Sequence, residues 1–500
     1  MNKQITVIVN GRPVLTVEGA ALSELISGEK PCGGHGKCGK CKVVAKGALS
    51  EITEAEKKLL NKDELESRVR LACLTYALGD CEVVTLSETV GAQIVTDGAL
   101  PEFEREPMFA GYGVAMDIGT TTLAARLYDT EGETLAEASR LNPQQEWGAD
   151  VISRIEAALD GRGRLLADAI RQALDGMISE LADLASVQAE KIDGAVITGN
   201  TVMLSLLTEQ SVEPFSHAPF AAERLFGETL TAEQLDLRNL LPNTRVYLPP
   251  CISAFVGADT TCAILATGLC RGDTAMLADI GTNGEMALWH DGRLTVCSTA
   301  AGPAFEGVGI SMGMRGAEGA IDRVEIENRH MRVHVIGNGA PVGICGSGLV
   351  DAVACMLDLG VMEADGYLED AWEILPPVCL TPKDIRMLQL AKSAICGGLL
   401  TLTEEEGLTV SEVAALYVAG GFGNYLNKEG AARIGLLPRD LAQRTETVGN
   451  AALGGACMLL LSAEAQRGAE AVAAKARVLD LATNATFMDL YVTGMMLEEI

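Results

Sequence analysis

The sequence predicts two folds in one chain of 500 residues. A small α+β unit of the β-grasp type comes first, and a duplicated α/β unit follows. Three observations predict this. Short alternating strands and a short helix surround the loop Cys32-Gly33-Gly34-His35-Gly36-Lys37-Cys38-Gly39-Lys40-Cys41. The turn Asp-Ile-Gly-Thr occurs twice, at 117–120 and at 279–282. Each copy is followed by further strands, helices and a strand running into glycine, at Gly199 and at Gly420-Gly421. Five hundred residues exceed one compact core. The expected division is a cluster-type unit over 1–88, a linker over 89–112, a first α/β half over 113–270 and a second over 271–500.

In the N-terminal unit residues 5–9 alternate, Gly11-Arg12 turn, and Val14 to Glu18 make a second strand. A helix over 21–26 leads into the loop. A strand over 42–45, a helix over 54–60 and a last strand over 82–86 complete the β-grasp order. Glycines in the loop let backbone N–H groups approach sulfur and take unusual φ values. The thiolates expected to hold an iron–sulfur cluster are Cys32, Cys38, Cys41 and Cys73, a spacing that resembles the plant-type [2Fe–2S] pattern with five residues in place of four in the first gap. Cys81 is the rival for the fourth place. Cys73 is preferred because it precedes a turn, whereas Cys81 is expected to open a strand. Lys37, Lys40 and Lys42 offset the negative charge of such a cluster. A zinc site is the competing reading, but zinc knuckles use two Cys-x2-Cys or Cys/His pairs, and only one pair is present.

Residues 89–112 hold glycine, proline and the charge run Glu102 to Glu106, without strand or helix periodicity. They read as a tether of roughly 25 residues with a reach of about 25–30 Å if flexible. An ordered arm packed on the next unit is the alternative.

The repeated turns have one chemical reading. Gly119 and Gly281 let backbone amides reach phosphate oxygens, and Thr120, Thr121, Thr282 and Asn283 add side-chain donors. Asp117 and Asp279 cannot face bare phosphate, so they imply Mg2+, held through water. Gly420-Gly421 leaves room for base and ribose. Asp259 lies just before the second turn. By itself it reads as the N-cap of the following helix, a role that leaves room for a second one. The segments Gly302 to Gly307 and Gly343 to Gly348 can close on the nucleotide.

Bulk properties narrow the partners. The net charge is −29, from 68 acidic against 39 basic residues, which argues against nucleic acid and anionic membrane. No run of 18 apolar residues occurs, and Leu453 to Ala463 is short enough for a buried helix. Residues 1–10 lack a leader pattern, so a cytoplasmic location is expected. Fourteen cysteines there form no disulfide framework. Ten, including Cys251, Cys262, Cys355 and Cys457, read as core packing.

These motifs resemble two known families. Asp117 to Thr122, Asp279 to Glu285 and the glycine-ended strands resemble the acetate kinase, sugar kinase, Hsp70 and actin superfamily (ASKHA), which implies a ribonuclease H-like ATPase fold. The segment Asp259 to Leu269 is similar to a helix in chaperone ATPases of that superfamily, which puts Asp259 at their water-orienting carboxylate. The Cys-x5-Cys-x2-Cys unit joined to such an ATPase resembles the reductive activators of corrinoid enzymes. The resemblance implies ATP-dependent, one-electron reduction of Co(II) to Co(I) in a corrinoid protein of a methyl-transfer system such as O-demethylation. It also implies an upstream low-potential electron donor, an anaerobic setting and a homodimer. A plant-type cluster lies near ~−400 mV. Each ~59 mV of shortfall is a tenfold penalty for one electron, within reach of ATP when there are a few such steps. The chain shows no Asp-x-His-x-x-Gly, so it is not expected to carry cobalamin itself. Three other readings stay open at this point: an activator of a different low-potential enzyme, a redox-sensing ATP-binding module without reductase activity, and a small-molecule kinase.

Overall fold

The computed structural model describes the chain apart from residues 1–3, 10–11, 27–34, 37–38, 40, 61–63, 66, 86–99 and 423–425. Two compact units emerge: Met1–Val90 with Asn142–Ile170, and Gly91–Leu141 with Arg171–Ile500. Grouping Asn142–Ile170 with the N-terminal residues departs from the continuous 113–270 segment expected. Helical periodicity marks the helices beginning at Val151 and Gly163, but it carries no information on which unit their contacts favour.

The N-terminal unit is built on one mixed sheet. Strands β1 (Gln4–Val9) and β2 (Arg12–Val17) pair as a hairpin, with Gln4 opposite Val17 and Val9 opposite Arg12. They are followed by β3 (Ala20–Ala21), the helix Leu22–Leu25, β4 (Lys42–Leu49), the helix Glu54–Leu59, β5 (Val69–Leu71) and β6 (Tyr76–Thr85). The order is β2-β1-β6-β4-β5, with β3 also on β6. Among the described residues β1 and β6 form the one parallel pair of this sheet. Alternation puts Ile5, Val7, Val43, Ala45 and Val83 on the inner face, where Leu22 and Ala77 join them.

The last strand begins at Tyr76, earlier than the sequence suggested. Residues 76–81 lack clean alternation, yet the bulge at Gly47 lets β4 pair with them, Gly47 opposite Cys81 and Leu49 opposite Ala77. Gly47 has φ 118°, and a Cβ there would meet the Cys81 Cα at 2.7 Å, so glycine is required. Cys81 therefore sits inside a strand and does not open one.

The second unit contains the repeat. Strands β7 (Tyr112–Ile118), β8 (Thr122–Tyr128) and β9 (Thr134–Leu141) form an antiparallel meander. β10 (Ile192–Gly199) lies parallel to β7, β12 (Arg245–Leu248) parallel to β10, and β11 (Glu228–Thr231) closes that edge. The second sheet repeats the scheme with β13 (Ala275–Ile280), β14 (Gly284–His290) and β15 (Arg293–Thr299). Within the second half come the hairpin β16 (Ala320–Glu327) and β17 (His330–Val335) with β18 (Gly343–Ile344), then β19 (Trp372–Leu375) and β20 (Val378–Leu380). β21 (Ala415–Ala419) lies parallel to β13, and β22 (Thr445–Thr447) parallel to β21. β23 (Arg477–Val478) is added beyond β15. The shared order, counted from each meander, is the ribonuclease H-like scheme in duplicate.

The helix Ala451–Leu461 is apolar on every side and wholly buried. It crosses the helix Ala258–Thr267 so closely that a Cβ on Gly455 would sit 2.1 Å from the Cys262 carbonyl oxygen. Among the described residues one helix, Pro382–Glu405, is long and apolar enough to cross a membrane, and 78% of its apolar window is buried in the fold. From Leu100 onward the expected tether is an arm laid on this unit. The Glu106 and Met108 amides donate to the Leu461 and Leu460 carbonyls, and Phe109 is buried. Leu100, Phe103 and Met108 supply the apolar anchors.

Candidate functional site

In the N-terminal unit Cys41 and Cys73 come together. Their Sγ atoms lie 3.2 Å apart. The sheet fixes this. Lys42 pairs with Leu71 across β4 and β5, and the Ala72 amide donates to the Cys41 carbonyl at 2.8 Å. The turn carrying Cys73 is held by Glu56, which is fully buried. Glu56 accepts from Arg70 Nε at 2.9 Å, Leu71 N at 3.2 Å and Thr75 Oγ1 at 3.2 Å, and it closes a capping box with Thr53. Burial pushes the Glu56 carboxyl up, but the Arg70 guanidinium and the Thr53 and Leu71 amides outweigh it and hold the group below its ordinary value.

Gly36 has φ 66°, and a Cβ there would strike the Leu74 side chain at 2.8 Å, so the loop passes tightly over the Cys73 turn. Cys81 belongs to the apolar core, where burial raises its thiol above the usual range. Cys32, Cys38, Lys37 and Lys40 lie outside the described residues. Lys42 pairs with Glu64, Nζ to Oε1 2.5 Å.

The thiol pair tests whether a cluster fits. Two sulfurs on one tetrahedral metal at ~2.3 Å stand about 3.8 Å apart. The Cys41 and Cys73 sulfurs stand 3.2 Å apart, about 0.6 Å closer, a difference that a small side-chain rotation closes, so the pair is compatible with two ligands of one metal ion. Of the ten cysteines assigned to packing, eight are buried, and Cys270 and Cys379 are partly exposed.

In the second unit the two Asp-Ile-Gly-Thr turns face one cleft of about 290 Å3. Asp117, Gly119, Thr120, Thr121, Asp259, Asp279, Gly281, Thr282, Asn283, Gly420 and Gly421 all line it. Every residue expected here from the sequence is thus brought together. Asp117 and Asp279 stand at the C-terminal ends of β7 and β13, the matching positions of the two halves.

The cleft is strongly acidic. Burial raises the Asp117 carboxyl to about 7 against the opposing Asn450 hydrogen bond, with Asp259 and Asp279 adding to the rise. Burial raises Asp279 likewise to about 7, helped by Asp259 and Glu306. Asp259 is pushed up to about 6 by burial, against the hydrogen bond that its Oδ1 accepts from the Thr260 amide. Burial and the charges of Asp259 and Asp279 lift Glu285 well above the ordinary carboxylate range. So many uncompensated carboxylates call for a cation. Among the described residues no three such side chains converge tightly enough to chelate one directly.

Asp259 is not the helix cap. Gly257 is the N-cap of Ala258–Thr267, and Asp259 lies in its first turn, on the cleft wall. Gly420 has φ 93°, and a Cβ there would lie 2.9 Å from Asp279 Oδ1. It is thus needed for the approach to Asp279, whereas Gly421 faces open space. Three site residues were missed as such. Asn450 donates from Nδ2 to Asp117 Oδ2 at 3.0 Å while capping Ala451–Leu461 through Oδ1. Asn200 donates to Thr120 Oγ1 at 3.3 Å and likewise caps a helix. Glu306 accepts from both Thr121 and Thr282. Helix-capping asparagines are common, so the two Asn carried no signal of their own. Glu306 lay in a glycine-rich segment already singled out.

A thiolate loop on a β-grasp unit and a two-sided phosphate cleft on a duplicated fold define an iron–sulfur protein with an ASKHA-type ATPase. Comparisons with known proteins make this specific. Residues 2–78 match the 2Fe-2S iron-sulfur cluster binding domain. Residues 112–272 match the RACo middle region, and residues 273–500 match the C-terminal domain of RACo, the ASKHA domain. The corrinoid activation enzyme RamQ of Eubacterium limosum is 35% identical over 431 residues, 79% of this chain and 72% of that protein. The [Co(II) methylated amine-specific corrinoid protein] reductase of Methanosarcina barkeri is 28% identical over 415 residues, 76% of each. A solved reductive activator for corrinoid, iron-sulfur protein superposes with TM-score 0.70 and 27% identity, covering 99% of this chain and 98% of that one. The chain belongs to the family of corrinoid reductive activators.

Proposed function

We propose that this protein couples ATP hydrolysis to one-electron reduction of a corrinoid protein, returning Co(II) to Co(I) for a methyl-transfer system such as O-demethylation. The observation that carries the reading is that both Asp-Ile-Gly-Thr turns line one cleft in a chain that also pairs Cys41 with Cys73. The electron comes from an external low-potential donor, and ATP and water yield ADP and phosphate. The functional segments follow 1–88, 89–112, 113–270 and 271–500, acting in the cytoplasm of an anaerobe as a homodimer.

When bound, a [2Fe–2S] cluster supplies a one-electron store at low potential, near ~−400 mV for the plant type. Cys32, Cys38, Cys41 and Cys73 hold it. In the cleft Asp117 and Asp279 hold hydrated Mg2+. Gly119, Thr120, Thr121, Gly281, Thr282 and Asn283 grip the phosphates, Gly421 leaves room for the nucleoside, and Asp259 orients the attacking water. Any gain in driving force must come from different affinities for the corrinoid partner in the ATP and ADP states.

The test is anaerobic reduction of a purified Co(II) corrinoid protein, followed by its visible spectrum, with and without Mg-ATP. Co(I) should accumulate only with ATP. Equal rates in both arms would remove the coupling.

A further inference from the structure

Glu306 ends the short turn Pro303–Glu306 and holds both halves of the phosphate grip at once. Its Oε2 accepts from Thr121 Oγ1 at 2.7 Å, and its Oε1 accepts from Thr282 Oγ1 at 2.9 Å. Thr121 follows the first Asp-Ile-Gly-Thr turn, and Thr282 ends the second. The carboxylate thus takes, with one oxygen each, one hydroxyl beside each turn, two of the side-chain donors that the repeat offers to a nucleotide. It lies against the turn backbone as well: a Cβ on Gly281 would stand 3.6 Å from Glu306 Oε1. An anion with two acceptor oxygens between these donors stands where a terminal phosphoryl group would be gripped.

The segment around it is anchored on both sides, so Glu306 is held at the cleft by its own backbone. Gly302 and Gly307 flank the turn with φ 81° and 76°. A Cβ on Gly302 would meet nothing within 4 Å, whereas one on Gly307 would strike the Met314 backbone at 2.6 Å. The Gly302 amide donates to the Thr282 carbonyl at 2.8 Å, so the turn is tied to the second phosphate turn at its start and packed against Met314 at its end. Phe305 stacks on Phe422, ring centroids 4.6 Å apart, directly after Gly420-Gly421.

We infer that Glu306 is the residue by which the cleft tells a nucleoside triphosphate from a diphosphate: its carboxylate stands in for the γ-phosphoryl group, which must take Thr121 and Thr282 from it. The inference rests on the nucleotide reading of the cleft. Two anions cannot share the same two donors without strong repulsion. A diphosphate leaves Glu306 in place. A triphosphate displaces the carboxylate from the two hydroxyls by rotation of the Glu306 side chain. The cleft thereby acquires two states with different nucleotide preference, as any coupling to a partner requires.

The experiment is isothermal titration of the full-length protein with Mg-ADP and with the Mg complex of a non-hydrolysable ATP analogue. Wild type, Glu306→Gln and Glu306→Asp are compared, and circular dichroism reports folding. Glu306→Gln should bind the triphosphate about tenfold tighter and leave ADP within about twofold. Glu306→Asp keeps the charge but cannot span both hydroxyls, so it should gain less. It serves alone if the Gln variant does not fold. An unchanged ratio of triphosphate to ADP affinity overturns the inference. So does a selective loss of triphosphate binding, which would make Glu306 a ligand of the phosphate-bound cation. If wild type binds neither nucleotide, the reading of the cleft fails first, and the inference goes with it.

Discussion

Cys41 and Cys73 hold their Sγ atoms 3.2 Å apart across 32 positions of sequence. Strand register brings them there: Cys41 directly precedes β4, Cys73 closely follows β5, and the two strands pair antiparallel. Cys81 is held inside the sheet core by the same register logic, through Gly47 and Val7.

The fourth ligand can be settled by exchange. Cys73→Ser should abolish the visible absorption of the anaerobic protein and its bound iron. Cys81→Ser should keep both and lose about 1–3 kcal/mol of stability, because a hydroxyl replaces a thiol in an apolar site. Iron analysis of the two variants side by side decides the matter, and the reverse pattern would exchange the roles.

Glu56 should prove as necessary to the cluster loop as a ligand. It pairs with Arg70, side chains 0% and 8% exposed. Glu56→Ala leaves that guanidinium buried without its partner, a change that typically costs about 3–5 kcal/mol. The folded carboxyl sits below its ordinary value, so its stabilisation is present at neutral pH and is lost as pH falls through the folded value. Acid unfolding followed by cluster bleaching should show Glu56→Ala failing at higher pH than wild type.

Asp117 gives the opposite sign. Its folded value of about 7 exceeds the ordinary 3.8. The folded protein keeps a proton that the unfolded chain has released, so stability falls as pH rises across that window, by on the order of 4 kcal/mol for this group alone. A cation binds the ionised form and should reverse the trend while releasing protons. Melting temperatures without Mg2+ should drop between about pH 4 and about pH 7, and the slope should flatten with Mg2+ and nucleotide. A pH-independent melting curve would show that these carboxylates are not coupled.

Asp259→Asn should slow ATP hydrolysis by about 100-fold or more while ADP affinity stays near that of wild type. Phosphate release and ADP titration on the same preparation separate the two effects. Equal weakening of both would assign Asp259 to binding.

Much of this was legible in the chain. The hairpin before the Cys/Gly loop and the helix after Thr53 are local patterns, and each formed where the residues placed it. So did the two Asp-Ile-Gly-Thr turns, because a meander of alternating strands with a glycine turn is decided over about ten residues. What failed was decided at a distance. The early start of β6 depends on the bulge at Gly47, and the arm over 100–111 depends on the Leu460 and Leu461 carbonyls.

The sequence by itself determined the chemistry on offer: thiolates in a glycine loop, and two carboxylate-and-threonine turns in a repeat. Only the tertiary structure decided which groups meet. It put Cys73 beside Cys41 and sent Cys81 into the core, and it set Glu306 between Thr121 and Thr282. The physical reason is that a turn follows from the conformations open to a few neighbouring residues. A contact across a sheet or a cleft follows from register and packing, which belong to the whole fold.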